Sequence, residues 1–327
     1  MTKQRALSLE EKLNQNGIKE RIKSTFIKKE RTGPWVIELD PTTACNLACH
    51  DCISANLLNQ GGIDPKRLLK LADEFKDIGV KAVVLIGGGE PMAHKEFGNL
   101  VKAFAEKDIH IGVTTNGTLM KRYMDVCSEH LSWLRVSVDA GSPEVFNQFR
   151  PHASGKSQFD LVINNMKELG QRKKGIMGYS FLLLSKFDKS GKLENTNAVD
   201  IEKAGNIAKD IGCDYFEVKP AFDLMHYLQS QDTKVTDIAN KQLAAIKKLN
   251  SETFQVIAPY TLDEALKGVA VQPKEYERCL VQDLRTVVSP SGVYVCPYHR
   301  GNLNMRIGDI TKQSFKEIWH SQKRKEV

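Results

Sequence analysis

No stretch of this chain is apolar for long enough to span a bilayer, and its first residues, Met1 to Asn16, lack the apolar core and small-residue cleavage site of a secretory signal. A membrane partner and classical export are therefore not expected, and the chain reads as cytoplasmic. Internal repeats and low-complexity tracts are missing as well, which excludes a solenoid. Cysteine is too unevenly placed for a disulfide framework: seven residues, an odd number, with three inside eight positions. Such thiols suit a reducing compartment, where they are kept for metal or catalysis. What remains is an ordinary globular composition, 41% hydrophobic over 327 residues, enough for one large α/β domain and a smaller appendage.

The net charge is +7, and a basic balance can signal a phosphate-bearing partner. Here much of it alternates with acids or apolar residues, as at Lys66, Lys70 and Lys76, in the manner of solvated helix faces. Nucleic acid is not the expected partner. The segment Lys19 to Arg31 is more concentrated and reads as a short basic amphipathic helix within an N-terminal extension, residues 1–32.

Cys45, Cys49 and Cys52 stand as Cys-Asn-Leu-Ala-Cys-His-Asp-Cys directly after the apolar run Trp35 to Leu39. Four thiolates would close every iron of an iron-sulfur cluster, whereas three leave one iron open to a ligand. Zinc is the rival, because Cys3His sites are common and His50 is adjacent, but zinc ligands usually come as two separated pairs and no second pair follows.

From Trp35 onward, apolar runs of strand length alternate with helix-period segments. The expected strands are Trp35–Leu39, Ala82–Ile86, Ile109–Thr114, Leu134–Val138, Gly178–Leu184 and Tyr215–Val218. Asp64-Pro65 and Ser142-Pro143-Glu144 are helix-start signals; later helices are expected over Asn197–Ile211 and Ala239–Asn250. Ser185–Asn197 reads as a polar loop. The pattern changes around Pro273, and Leu284–Val295 reads as a β-hairpin turning at Pro290-Ser291-Gly292. The expected fold is α/β: a partial (β/α)6 TIM-like barrel over residues 33–258, followed by a small hairpin-containing subdomain over residues 259–327. Such folds gather functional groups at the carboxyl ends of their strands.

Those ends are unusually polar or open. Strand two runs into Gly87-Gly88-Gly89-Glu90-Pro91, where missing β-carbons either let a ligand approach the backbone or simply allow a tight turn. Strand three ends in Thr114-Thr115-Asn116-Gly117-Thr118. Strand four ends in Ser137-Val138-Asp139, where alternation puts Ser137 and Asp139 on one face, suited to a ribose or to capping the next helix.

Cys45-x3-Cys49-x2-Cys52, Gly88-Gly89-Glu90-Pro91 and Ser137-x-Asp139, at three successive strand ends, resemble the radical S-adenosylmethionine (radical SAM) superfamily over residues 33 to 222. The resemblance implies that the three cysteines bind a [4Fe-4S] cluster whose fourth iron takes the amino and carboxylate groups of SAM. It assigns Gly88, Gly89 and Glu90 to the methionine amino group, and Ser137 and Asp139 to the ribose, with Asn116 nearby. It implies one-electron cleavage of SAM to a 5'-deoxyadenosyl radical that takes hydrogen from a substrate carbon, with a donor such as flavodoxin or ferredoxin as partner. One departure stands: His50-Asp51 replaces the apolar residue usual before the third cysteine, so Asp51 would bond the adenine amine or face solvent.

Cys279 and Cys296 flank the hairpin, in a segment similar to the SPASM or twitch subdomain of this superfamily. No cysteine follows Cys296. The resemblance leaves three readings: a second, auxiliary cluster on Cys279, Cys296 and His299; Cys279 or Cys296 as hydrogen-atom donor to a product radical; or a degenerate cap. Cys127 and Cys213 read as buried structural thiols. Little sequence precedes strand one, so a small polar substrate such as a sugar, aminocyclitol or nucleotide is expected ahead of a ribosomal peptide or protein, for dehydrogenation, epimerisation or dehydration. An iron-sulfur sensor is the reading of another class.

Overall fold

The computed structural model describes residues 16–28, 32–221, 232–269 and 275–327. The rest of the expected N-terminal extension and Pro273 lie outside the described residues. Its strands are β1 (Val36–Leu39), β2 (Ala82–Leu85), β3 (His110–Thr115), β4 (Trp133–Ser137), β5 (Ile176–Leu183), β6 (Ser185–Phe187), β7 (Leu193–Thr196), β8 (Tyr215–Pro220), β9 (Gln255–Ile257), β10 (Arg285–Ser289), β11 (Gly292–Tyr294) and β12 (Arg306–Gly308). All six expected strands are present. The chain divides into two compact units, one of Met1–Ala44, Asn59–Val113 and Tyr276–Val327, the other of Cys45–Leu58 and Thr114–Glu275.

In the first unit the strand order is β12-β11-β10-β1-β2-β3. β1 is parallel to both neighbours, with Val36 opposite Arg285 on one side and Ala82 on the other. The C-terminal hairpin β10–β11 forms as expected. Alternation along β1 buries Ile37 and Leu39 fully on one face and turns Glu38 to the other. The helix Pro65–Asp77 begins as the sequence announced, with the Asp64 side chain accepting from the Arg67 amide and proline in the first turn. It buries Leu68, Leu71, Ala72 and Phe75, and Phe75 packs against Phe104 and Phe315. Arg67 and Glu74 then tie this helix to the C-terminal segment: Arg67 Nε donates to the Ile310 carbonyl, and Glu74 accepts from the Phe315 amide. A helix over Asn16–Ile22 sets Arg21 over the Trp35 ring.

In the second unit the order is β4-β5-β8-β9, all parallel. Phe216, Tyr179 and Phe181 meet edge to face on the side where Gly205 of the helix Ile201–Asp210 comes down on Phe216. The opposite side of the same strands therefore faces away from that helix. Two details differ from expectation. Ser185–Asn197 is not a loop but the antiparallel hairpin β6–β7 with its bend at Asp188–Lys192, since Asp188 accepts backbone bonds from Ser190 and Lys192 and so replaces a missing apolar signal. Ser142 does not cap its helix through its side chain; its hydroxyl donates to Asp200, which also accepts from the Gly141 amide.

Candidate active site

The glycine loop of the first unit is shaped by contact with the segment that leads into Cys45. A β-carbon at Gly89 would lie 2.4 Å from the Ala44 carbonyl oxygen and 2.4 Å from the Thr43 carbonyl carbon, so glycine is obligatory there. Gly88 differs: a β-carbon would meet nothing closer than Thr43 Cγ2 at 3.5 Å. The Glu90 amide donates to the Ala44 carbonyl (2.8 Å), and the buried Glu90 carboxylate accepts from the Met92 amide (3.1 Å).

Asp40, just past β1, is fully buried. Burial raises its carboxyl to about 6, against the pull of Arg300 and of a hydrogen bond from the Gly88 amide. Arg300 reaches both Asp40 (Nε to Oδ2, 2.5 Å) and Glu38 (Nη2 to Oε2, 3.1 Å), and Arg285 also pairs with Glu38. Arg300 is thus committed to internal carboxylates. On the same C-terminal segment Cys279 is exposed and Cys296 half-buried, and the His299 amide donates to the Cys296 carbonyl (3.0 Å).

In the second unit Cys45, Cys49 and Cys52 are partly buried thiols on an irregular loop. That loop is pinned by main-chain bonds, Ala48 to the Pro151 carbonyl (2.9 Å) and His50 to the Phe149 carbonyl (3.1 Å). Asn116, Asn46 and Thr118 brace it: Asn116 Nδ2 donates to Asn46 Oδ1 (2.9 Å) and lies 4.0 Å from Cys45 Sγ, while Asn46 donates to Thr118 Oγ1 (2.9 Å). Asn116 is thus already engaged beside the first thiol. His50 Nδ1 lies 3.2 Å from Asp51 Oδ2, and both side chains are substantially exposed.

No sequence signal marks Arg150, which the structure sets beside the second thiol. Its Nη1 lies 3.5 Å from Cys49 Sγ, and its Nε donates to Asp139 Oδ2 (2.8 Å), which a second guanidinium nitrogen also reaches. Burial pushes the Cys49 thiol up; Arg150 pulls it back. Burial opposes the charge of Arg150 too, but Asp139 and Cys49 together hold it protonated. Asp139 has a left-handed backbone (φ 56°), rare outside glycine and asparagine, and its second oxygen accepts from the Leu182 amide (2.7 Å). This changes the expectation for Asp139. The residue turns off the alternating face of Ser137, is almost wholly buried, and spends both carboxylate oxygens on protein donors.

Among the described residues no group of three or more His, Cys, Asp or Glu side chains converges on one point. Cluster ligands sit on different irons and stand further apart than those of a single ion. Soft thiols, one beside a buried guanidinium, fit a negatively charged iron-sulfur cluster.

The family model of the radical SAM superfamily matches residues 39–187, and that of an iron-sulfur cluster-binding domain, SPASM, matches residues 279–327. The chain thus carries a radical SAM domain followed by a SPASM domain. Its cofactors are accordingly a [4Fe-4S] cluster and SAM, and the SPASM match supports a further cluster. A probable GTP 3',8-cyclase of Archaeoglobus fulgidus is 30% identical over 129 residues, 39% of this chain and 42% of that protein. The radical SAM chain thus spans about two fifths of the length of that relative. Mycofactocin maturase MftC of Mycobacterium tuberculosis is 21% identical over 307 residues, 88% of this chain and 70% of the maturase. The crystal structure of Streptococcus suis SuiB bound to precursor peptide SuiA superposes with a TM-score of 0.67 at 15% identity, covering 94% of this chain and 69% of SuiB. That likeness shows a shared fold, the partial TIM-like barrel with antiparallel strands at its C-terminal end. The preference for a small polar substrate over a peptide is overturned here, because a maturase is matched over 88% of this chain and an enzyme bound to its precursor peptide shares its fold over 94%. No described helix is long and apolar enough to cross a membrane.

Proposed function

We propose that this radical SAM enzyme modifies a peptide or protein by abstracting hydrogen from one of its carbon atoms. The reading is carried by the likeness to SuiB bound to its precursor peptide, over 94% of this chain, and is supported by the match to MftC over 88% of it. Residues 33–258 would carry the radical chemistry and residues 259–327 the SPASM segment. The seven cysteines, an odd number with three inside eight positions, support a reducing, cytoplasmic setting.

Cys45, Cys49 and Cys52 hold the [4Fe-4S] cluster in this account. The cluster and SAM together supply a one-electron cleavage and a carbon-centred radical. The chain's own residues do the rest. Gly88 and Gly89 open the backbone for the methionine amino group and Glu90 accepts from it; Ser137 meets the ribose; Asn116 braces the Cys45 end of the loop. Asp139 acts through Arg150, a positioning residue that places a fixed cation at the Cys49 sulfur. A second cluster takes Cys279 and Cys296, with His299 on the adjoining turn.

The test uses the anaerobically reconstituted full chain with SAM, a chemical reductant and deuterated synthetic peptides encoded beside its gene. Deuterium arriving in 5'-deoxyadenosine from a peptide is expected. Turnover of SAM with deuterium drawn only from a deuterated sugar or nucleotide control would overturn the reading.

A further inference from the structure

On the side of β4, β5 and β8 turned away from the helix Ile201–Asp210, strand register lines up two polar rows. Ser137, Ser180 and Glu217 are cross-strand partners, and one step back so are Arg135, Gly178 and Tyr215. Gly178 makes this possible. A β-carbon there would lie 1.9 Å from Tyr215 Cζ, so its absence lets the Tyr215 ring lie over β5 and accept from Trp133 Nε1 (2.9 Å). With that space filled, the longer side chains of β4 and β8 meet one row further on.

They meet in an unequal cluster. Arg135 Nη2 and Lys219 Nζ approach the same oxygen, Glu217 Oε2, at 3.0 and 3.2 Å. Two cations therefore share one carboxylate. Arg135 lies over the Trp133 ring, 4.9 Å from its centroid, and bonds the Tyr215 hydroxyl, yet its Nε is buried without a hydrogen-bond partner among the described residues. Burial, then the nearby Arg135, holds the Lys219 ammonium below its ordinary value, opposed by Glu217 and by Asp139. A purely structural ion pair would match charges one to one; a cation left over in a partly dry place costs stability. The side chains are not sealed, with Arg135 28% and Lys219 20% exposed, so a ligand can reach them. They also belong to the chemistry's neighbourhood, since the charge of Asp139, which orients Arg150 at Cys49, is felt at Lys219.

We propose that Arg135, Glu217 and Lys219 form a subsite for a carboxylate of the substrate peptide, an acidic side chain or the C-terminal carboxylate. The proposal rests on the peptide reading above and adds the substrate's charge. The incoming carboxylate supplies the missing negative charge, accepting from Lys219 and from the Arg135 guanidinium, while Glu217 keeps both cations in place.

The experiment selects short random synthetic peptides on the reconstituted full chain with SAM present, using libraries with free and with amidated C-termini, and identifies retained peptides by mass spectrometry. Wild type is expected to enrich aspartate and glutamate in both libraries if a side chain is bound, or to retain peptides only from the free-carboxylate library if the terminus is. Lys219→Gln should lose the enrichment by about tenfold or more, and Lys219→Arg should restore it. Equal iron content and far-ultraviolet circular dichroism establish that the variants fold. Peptides retained without acidic preference, or the same preference in Lys219→Gln, would overturn the subsite and leave the peptide reading standing. Retention of no peptide by any form would overturn both.

Discussion

Arg150 holds one guanidinium nitrogen 3.5 Å from the Cys49 sulfur while Asp139 clamps the rest of the group. The pair couples the end of β4 to the cysteine loop, and the left-handed backbone of Asp139 is the conformational cost of aiming its carboxylate at both Arg150 and the Leu182 amide.

Removing Arg150 leaves Asp139 charged, buried and short of a partner. Arg150→Ala should lose about 3–5 kcal/mol of stability, read by denaturant unfolding of the cluster-free protein. Arg150→Lys should keep most of the fold, yet shift the cluster's midpoint potential downward, since one flexible ammonium cannot serve both Asp139 and Cys49. An unchanged potential in a folded Arg150→Lys protein would show that the guanidinium does not act on the cluster.

Asp40 predicts a specific pH dependence. Its carboxyl is raised in the folded state from 3.8 to about 6, so the folded protein binds that proton more tightly than the unfolded chain. The associated stability is fully present below 3.8 and is lost as pH rises through about 6. Asp40→Asn removes the titration, so the stability of this variant relative to wild type should climb by a few kcal/mol (roughly 3) across that window and level off above it. Parallel stability curves for the two proteins would contradict the assignment.

Gly88 and Gly89 should separate under the same substitution. Gly89→Ala forces a β-carbon into the main chain of Thr43 and Ala44 and should cost about 1–3 kcal/mol with loss of SAM binding. Gly88→Ala has room, so it should melt close to wild type while binding SAM more weakly. Equilibrium dialysis with labelled SAM and thermal melts distinguish the two; normal SAM affinity in Gly88→Ala would remove that residue from the cofactor site.

Much of this was legible in the chain itself. The cysteine spacing, the glycine loop after β2 and the six apolar runs are local patterns, and local patterns survive folding because strand alternation and glycine's missing β-carbon act within a few residues. Arg150 was not legible, because its role depends on a contact 101 positions away with Cys49, and nothing in Phe-Arg-Pro marks it. The same holds for Arg300, set on Glu38 and Asp40 more than 250 residues earlier, by pairing of β10 with β1. Glu217 and Lys219 stand two residues apart on one face of β8, which alternation alone dictates, but the third member, Arg135, comes only with the strand register. The substrate class was misread for another reason: chain length ahead of strand one says little about what binds at strand ends.

The most direct test of the central claim is anaerobic reconstitution of the full chain, with iron and sulfide counted per chain and reductant-dependent conversion of SAM to 5'-deoxyadenosine measured beside a Cys45→Ala control. The account predicts at least about four irons, cleavage of SAM, and loss of both in Cys45→Ala. An intact cluster that never cleaves SAM, or cleavage that persists in Cys45→Ala, would contradict it.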